Sequence, residues 1–427
     1  MIQIARPALA WATTIAAFLW LCEPAFSADT PDLAQLTLAG AERLWLAHSR
    51  EVKIAHIQVE GAEADTVSAG ERPNPQLSVS VASLSPREGV GNGHLRDKMM
   101  DTVIGLSQTF ERGNKRELRV QGAESRLEAA KKDYDATLRG QRYALRSAYY
   151  DLFLAQEKLR IADDSAALYR KSEQAAQLRL RAGDISGAEQ ARIRVEALRA
   201  ANDARQAAND LDRARLALAY LIGREGDAAK LRAVDGWPAV APPQGAAAPD
   251  ADQRPDVQAA RKRVQAAEAA RDLARALRTR DVNVGVQFEH NPTGSGYATN
   301  SYGVAVSVPL FLAHSYEGEI RRAEADLETA REQLDQVRGQ AIADTARARS
   351  DLEAAAQRAK QYDDGLLAEA ERAAKAAEFA YQHGALGLMD LLDARRTYRA
   401  TQMDAATARA DYAKALAAWK AVAEGKQ

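Results

Sequence analysis

Few side chains in this 427-residue sequence have the types and spacing that chemistry needs. The most suggestive stretch runs from His383 to Arg395, reading His-Gly-Ala-Leu-Gly-Leu-Met-Asp-Leu-Leu-Asp-Ala-Arg. Asp390 and Asp393 stand three residues apart, which puts both carboxylates on one face of a helix. Two readings are open at this point. The pair is a solvated helix start favoured by the macrodipole, or it is one segment of a ring of negative charge around a pore, which needs several copies of the chain. His383, beside the pair, reads as a solvated turn residue that could meet a metal ion in transit. The six histidines, His48, His56, His94, His290, His314 and His383, are scattered, and none has metal-ligand spacing with another ligand type. No metal site and no cofactor is therefore expected. Gly89 to Gly93 lacks the Lys-Ser/Thr of a phosphate loop, and Arg321-Arg322 reads as a solvated helix surface. Without a catalytic constellation, no enzyme is expected.

The elements that must position the aspartates are helices. Gly384 and Gly387 interrupt an otherwise unbroken helical pattern from Gly318 to the C-terminus, so a helical hairpin turns here. After Pro86 no proline appears until Pro238, and none follows Pro309, which exposes two alanine-rich, charge-rich stretches as long helices. Between them, Pro238 to Pro255 with Pro242, Pro243 and Pro249 reads as an irregular connector. Leu127, Tyr134, Leu138, Leu145, Tyr149, Leu152, Leu159, Ala162, Ala166 and Tyr169 are spaced by threes, fours and sevens. Leu327, Ala330, Leu334, Val337, Ala341, Ala348, Leu352, Ala355, Ala359 and Tyr362 keep the same rhythm, so both stretches carry coiled-coil seams. A helix from Asn114 to about Arg181 would run on the order of 100 Å, longer than a compact globule allows.

The two halves repeat each other. Ala123-Glu124, Leu127-Glu128 and Ala130 match Ala323-Glu324, Leu327-Glu328 and Ala330, while Gly183, Glu189 and Arg194 match Gly384, Asp390 and Arg395. Four alternating strands precede the long helices: Leu77, Val79 and Val81; Ile104, Leu106 and Phe110; Val282, Val284, Val286 and Phe288; Val304, Val306, Val308 and Leu310. Each is about ten residues with one apolar and one small or polar face, as a membrane barrel with a wet lumen requires. Two isolated hairpins cannot close a barrel alone, whereas an oligomer that pools them could. The organisation read from these signals is a signal peptide over 1–27, a first repeat over 28–236 with a hairpin at about 75–111, the connector over 237–255, and a second repeat over 256–427 with a hairpin at about 281–311.

Charge and the N-terminus narrow the class. With 58 basic and 59 acidic residues the net charge is −1 and no basic cluster stands out, so no nucleic acid partner is expected. Arg6, the apolar run Ala8 to Leu21 and Ala25-Phe26-Ser27 before Ala28 form a secretory signal, and the protein is expected to be exported. Its single cysteine, Cys22, lies inside that signal, and bulky Trp20 and Leu21 disfavour a lipid there. No later segment is apolar enough for a transmembrane helix, so a membrane crossing must use strands.

With these residues in place the chain resembles the TolC-type outer-membrane efflux proteins over nearly all of its mature length. The motifs that carry the resemblance are Asn74-Pro75-Gln76-Leu77-Ser78, Leu106-Ser107-Gln108-Thr109-Phe110-Glu111-Arg112-Gly113-Asn114-Lys115-Arg116, Leu218-Ala219-Tyr220-Leu221-Ile222-Gly223, Arg254-Pro255-Asp256-Val257 and Asp390-Leu391-Leu392-Asp393-Ala394-Arg395. The resemblance implies an α+β fold and a homotrimer in the Gram-negative outer membrane. Each chain would give four strands to a twelve-stranded barrel, in contact with outer-membrane lipid, and its long helices to a periplasmic tunnel. It also implies a passive exit duct docked to a periplasmic adaptor protein and an inner-membrane resistance-nodulation-division pump. Ser107 to Glu111 with Gly113 and Lys115-Arg116 is similar to the branch serving cobalt, zinc and cadmium pumps, although Leu312 to Glu317 departs from that branch's Asn- and Arg-rich middle. By the same resemblance Asp390 and Asp393 fall on the aspartates that ring the closed aperture, and Tyr381 on the constriction tyrosine. Leu386 stands where an arginine latch is expected. The tips at Gly183, Ser186 and Gly187, and at Gly384 and Gly387, would form the periplasmic end where adaptor and pump dock. A duct for drugs or for a type I secretion system keeps the same fold. An exported coiled-coil structural or adaptor protein would share the seams but not the four strands.

Overall fold

The computed structural model describes residues 32–84, 94, 100–241, 250–291 and 300–423. The signal segment with Cys22, the glycine-rich loop Gly89 to Gly93, most of the second interstrand loop and the prolines Pro242, Pro243 and Pro249 lie outside the described residues. In chain order the main elements are α1 (Leu38–His48), α2 (Arg50–Gly70), β1 (Gln76–Ala82), β2 (Asp101–Phe110), α3 (Lys115–Ala182) and α4 (Gly187–Leu221). After the connector come α5 (Pro255–Ala276), β3 (Val282–His290), β4 (Asn300–Ser307), α6 (Glu317–Gln361), α7 (Leu367–Gln382) and α8 (Leu388–Ala423). Each half thus runs from a helix through a strand pair into a long helical hairpin, with the short α1 as an extra helix at the start of the first half.

Helix α3 has 68 residues and spans about 100 Å at 1.5 Å per residue. Propensity alone does not hold such a rod; its seam does. Leu145, Tyr149, Leu152, Ala162, Ala166 and Tyr169 are buried, and Leu127, Tyr134, Leu138 and Leu159 are half-buried. The second seam buries Leu327, Ala341, Ala348, Leu352, Ala355 and Ala359. Alanine at these contacts leaves room for close helix approach, and α3 packs against α2, α4, α5 and α8. The second stretch departs from the continuous helix its sequence suggests: a π-turn at Tyr362–Leu366 separates α6 from α7. Two features locate it. Arg409 of α8 donates to Asp363 at 2.6 Å, tying the turn sideways, and Gly365 has little helical preference of its own.

The strands form one antiparallel sheet in the order β1-β2-β3-β4, so the two hairpins are not isolated but joined through β2 and β3. Paired residues share a face. Leu77 pairs with Leu106 and Val79 with Ile104; Leu106 then pairs with Val286 and Ile104 with Phe288; Val286 pairs with Val304 and Phe288 with Tyr302. That face is apolar across all four strands. The opposite face carries Ser78, Gly105, Gln287 and Gly303 in one row and Ser107, Gly285 and Ala305 in the next. Strand β4 stops at Ser307, short of Val308 and Leu310, because Pro309 has no N–H to continue the ladder. At the foot of the sheet Gly113 takes φ 78°, and a Cβ there would lie 2.8 Å from the Thr279 side chain, so only glycine fits the turn into α3.

The largest core lies halfway down α3, where Trp45, Leu145, Tyr149, Leu152, Leu218, Ile222 and Leu231 are all but inaccessible. Here the first described segment pairs in parallel with the stretch leading into the connector, Leu36 against Ala233. The Tyr149 hydroxyl sits 3.0 Å from the Leu36 carbonyl and 2.9 Å from the Asp235 carboxylate, and burial raises its pKa well above the ordinary phenol value. Trp237 donates to Glu157 at 2.8 Å and packs edge-on against Phe153, which fixes the connector onto α3.

Candidate functional site

At the end of the helices farthest from the sheet, the chain makes the same turn twice. Gly183 ends α3 at φ 83° and Gly384 follows α7 at φ 72°, both left-handed positions that favour glycine. After the first turn, Ser186 Oγ accepts from the Glu189 N–H at 3.2 Å and Glu189 Oε2 accepts from the Ser186 N–H at 3.0 Å. That capping box starts α4 at Gly187. In the second turn His383 Nδ1 lies 2.8 Å from the Phe379 carbonyl and the two rings are 4.1 Å apart, so this histidine is engaged with its own helix. Gly387 immediately precedes α8.

The first turns of α8 are oriented by leucines. Leu388 and Leu392 bury against Ala166, Tyr169 and Ala176 of α3 and Ile193, Ala197 and Ala200 of α4, with Leu391 buried beside them. Helical spacing then leaves Asp390 and Asp393 together on the exposed side. Among the described residues neither has an ion-pair partner. Their neighbours do: Glu196 takes Arg396 and Arg199, both at 3.1 Å, Glu378 takes Arg395 at 2.9 Å, and Asp203 takes Arg399. Two exposed carboxylates without an ion-pair partner, beside Glu196, Asp203 and Glu378 that arginines neutralise, concentrate negative potential on one helix face. Tyr381 packs against the cluster of Leu388 and Leu392 instead of meeting the carboxylates. It is half-buried, its hydroxyl accepts from Arg179 of α3 at 3.3 Å, and the guanidinium stands 6.0 Å from its ring. Leu386 is half-buried, with no basic group in its place.

Sequence reading missed the groups that hold this arrangement. Arg395 donates to Ser172 at 3.0 Å and to Glu378 at 2.9 Å, bridging α3, α7 and α8 along a cavity of about 340 Å³. The repeat match of Arg194 with Arg395 was the available signal, since Arg194 likewise reaches Glu173 at 3.9 Å within the first hairpin. Glu196 is buried, and its hydrogen bond with Arg396 holds its carboxyl below the ordinary value. A carboxylate with a depressed folded pKa contributes stability that is present above its unfolded pKa and is lost as pH falls through the folded one. The contact between α4 and α8 is therefore expected to hold at neutral pH and to weaken only below the ordinary carboxylate range, by about 1 kcal/mol because Arg396 is half exposed. Amide exchange in the first turns of α8 checks this: wild type loses protection on acidification, whereas Glu196→Gln shows the loss at neutral pH and little further change. An unaltered acid response in Glu196→Gln would dismiss the pair as its cause.

A four-stranded sheet with a bare apolar face, carried on helices of about 100 Å, defines the subunit of a β-barrel channel extended by a helical tunnel. None of the described helices is long and apolar enough to cross a membrane, which leaves the strands for that task. The model of the family described as outer membrane efflux protein matches residues 43–224 and 251–423, and the chain belongs to that family. It is 28% identical over 353 residues to Protein CyaE of Bordetella pertussis, covering 76% of this chain and 70% of that one. To the cobalt-zinc-cadmium resistance protein CzcC of Cupriavidus metallidurans it is 25% identical over 375 residues, covering 85% and 84%. The crystal structure of the outer membrane protein VceC from Vibrio cholerae superposes with a TM-score of 0.75 at 20% identity, over 91% of this chain and 97% of that one. The protein is an efflux channel of the Gram-negative outer membrane that extends into the periplasm, a transport duct rather than an enzyme.

Proposed function

We propose that three copies of this chain pool their sheets into a closed barrel and that the resulting duct releases divalent heavy-metal cations delivered from the inner membrane. The observation that carries the oligomer is the sheet: Leu77, Val304 and Tyr302 are 71%, 77% and 85% exposed on a face that water cannot stabilise, and four strands cannot close on themselves. The likeness to a cobalt-zinc-cadmium resistance protein over most of both chains supports the cargo. In this reading Asp390 and Asp393 supply six carboxylates to a ring at the tunnel entrance, and Tyr381 with Arg179 lines the constriction behind it. The turns at Gly183, Ser186 and Gly187, and at Gly384 and Gly387, take a periplasmic adaptor and, through it, an inner-membrane resistance-nodulation-division pump. The two halves act as repeats, 28–236 and 256–427, on either side of the connector. Leu386 cannot latch an aspartate, so the ring is held by the ion pairs that Arg395, Arg396 and Arg399 of α8 make with the neighbouring helices.

Deleting the gene tests the cargo. Loss of growth on zinc, cadmium or cobalt salts, restored by the wild-type gene, is the expected result. Sensitivity confined to drugs and dyes would replace metal cations by another substrate class while leaving the channel intact.

A further inference from the structure

A second site lies halfway down the helices, away from both tip and sheet. The middle of α3, the first turn of α5 and the last turns of α8 enclose a cavity of about 690 Å³. Its charged lining is five cations, Lys132, Arg139, Arg142, Arg146 and Lys420, and one carboxylate, Asp135. Three of the cations are balanced: Lys132 by Asp135 at 3.4 Å, Arg139 by Asp256 at 3.5 Å and Arg146 by Glu42 at 2.7 Å. Arg142 and Lys420 have neither an ion-pair nor a hydrogen-bond partner among the described residues, and the Nε atom of Arg142 is buried without an acceptor.

The surroundings deepen the imbalance. Pro255 and Gln258 place the N-terminal end of α5 at the cavity, with the positive end of its dipole. Burial pushes the Arg139 guanidinium pKa down even with Asp256 beside it, so the α3 wall that also carries Arg142 is partly dehydrated and unpaired charge there is costly, while Lys420 on α8 is exposed and free to reach an anion. Two uncompensated cations, on opposite walls and from different halves of the chain, fit a compact anion of charge −2. We propose that this cavity binds a phosphate or a small dicarboxylate, held between Arg142 and Lys420, and that the anion fastens α3 to α5 and α8. Arg142 lies about 40 Å down α3 from Lys115 at 1.5 Å per residue, beyond the headgroups around a barrel that ends at the sheet. The ligand therefore comes from solution and not from the bilayer.

Calorimetric titration of the full-length, detergent-solubilised protein with inorganic phosphate, with malonate and with chloride tests the site. Saturable binding of phosphate or malonate at one site per chain, with none for chloride, is expected. Phosphate alone binding would assign a phosphate site and malonate alone a dicarboxylate site, both within the proposal. Arg142→Gln combined with Lys420→Gln should lower affinity roughly tenfold or more, since a charge-assisted contact is lost at each position. Arg142→Lys, which keeps the charge, should bind within a few-fold of wild type, as should Lys375→Gln, an exposed lysine on α7. Melting the double variant in anion-free buffer guards against misfolding, because removing two unpaired cations should leave that midpoint unchanged or higher. No saturable uptake by wild type, including the case where a neighbouring copy fills the cavity, or equal uptake by a folded double variant, would overturn the proposal.

Discussion

Val304→Arg is expected to prevent the protein from accumulating in the outer membrane. Val304 is 77% exposed, sits in the middle of β4 and is paired with Val286, so it belongs to the apolar face that would meet lipid in the proposed barrel. An arginine near the bilayer midplane costs about 2–4 kcal/mol in a barrel protein, and in the proposed trimer the cost falls three times on one assembly. Ser80→Arg is the matched control. Its neighbour Val79 pairs with Ile104 on the apolar face, so Ser80, paired with Val103, faces the wet side. That variant should assemble and change only the channel's conductance. Membrane fractionation followed by immunodetection reads both. Equal amounts of the two variants in the outer membrane would mean that the two faces have been assigned wrongly.

Replacing Asp390 and Asp393 together by alanine should relieve block of the channel by multivalent cations. Both carboxylates are exposed, adjacent and unpaired, whereas Glu196, Asp203 and Glu378 within the same tip are neutralised by arginines. In the proposed trimer six such charges would meet at one aperture and raise the local cation concentration, and a multivalent ion responds more steeply than potassium does. The half-blocking concentration of hexaamminecobalt(III) in planar bilayers is expected to rise roughly tenfold or more, with a smaller rise for Asp390→Ala alone. Because Leu388, Leu391 and Leu392 anchor α8 independently, the substitution should leave assembly untouched. Unchanged conductance and unchanged block would remove the aspartates from the entrance.

Much of this architecture is legible in the residue pattern. The seams at Leu145, Tyr149 and Leu152 and at Ala341, Ala348 and Leu352 follow helical spacing, and glycines mark both tip turns, because these signals are local. The strands show by alternation for the same reason. Their joining into one sheet does not, since β2 and β3 are far apart in sequence and pairing depends on how the long helices bring them together. The π-turn at Tyr362–Leu366 is likewise hidden, because it depends on Arg409 reaching across from α8. At the tip, spacing places Asp390 and Asp393 on one face but says nothing of their being unpaired. That property emerges only when Arg395, Arg396 and Arg399 are seen to turn toward Ser172, Glu378, Glu196 and Asp203 instead. The cavity around Arg142 and Lys420 combines residues from both halves and has no sequence signature at all.

Whether several chains share one barrel is read by electrophoresis of outer-membrane extracts with and without heating, with native mass measurement of the unheated species. A detergent-resistant complex of three chains that collapses to a single-chain band on boiling is expected. A monomer released without detergent, migrating identically before and after heating, would contradict it.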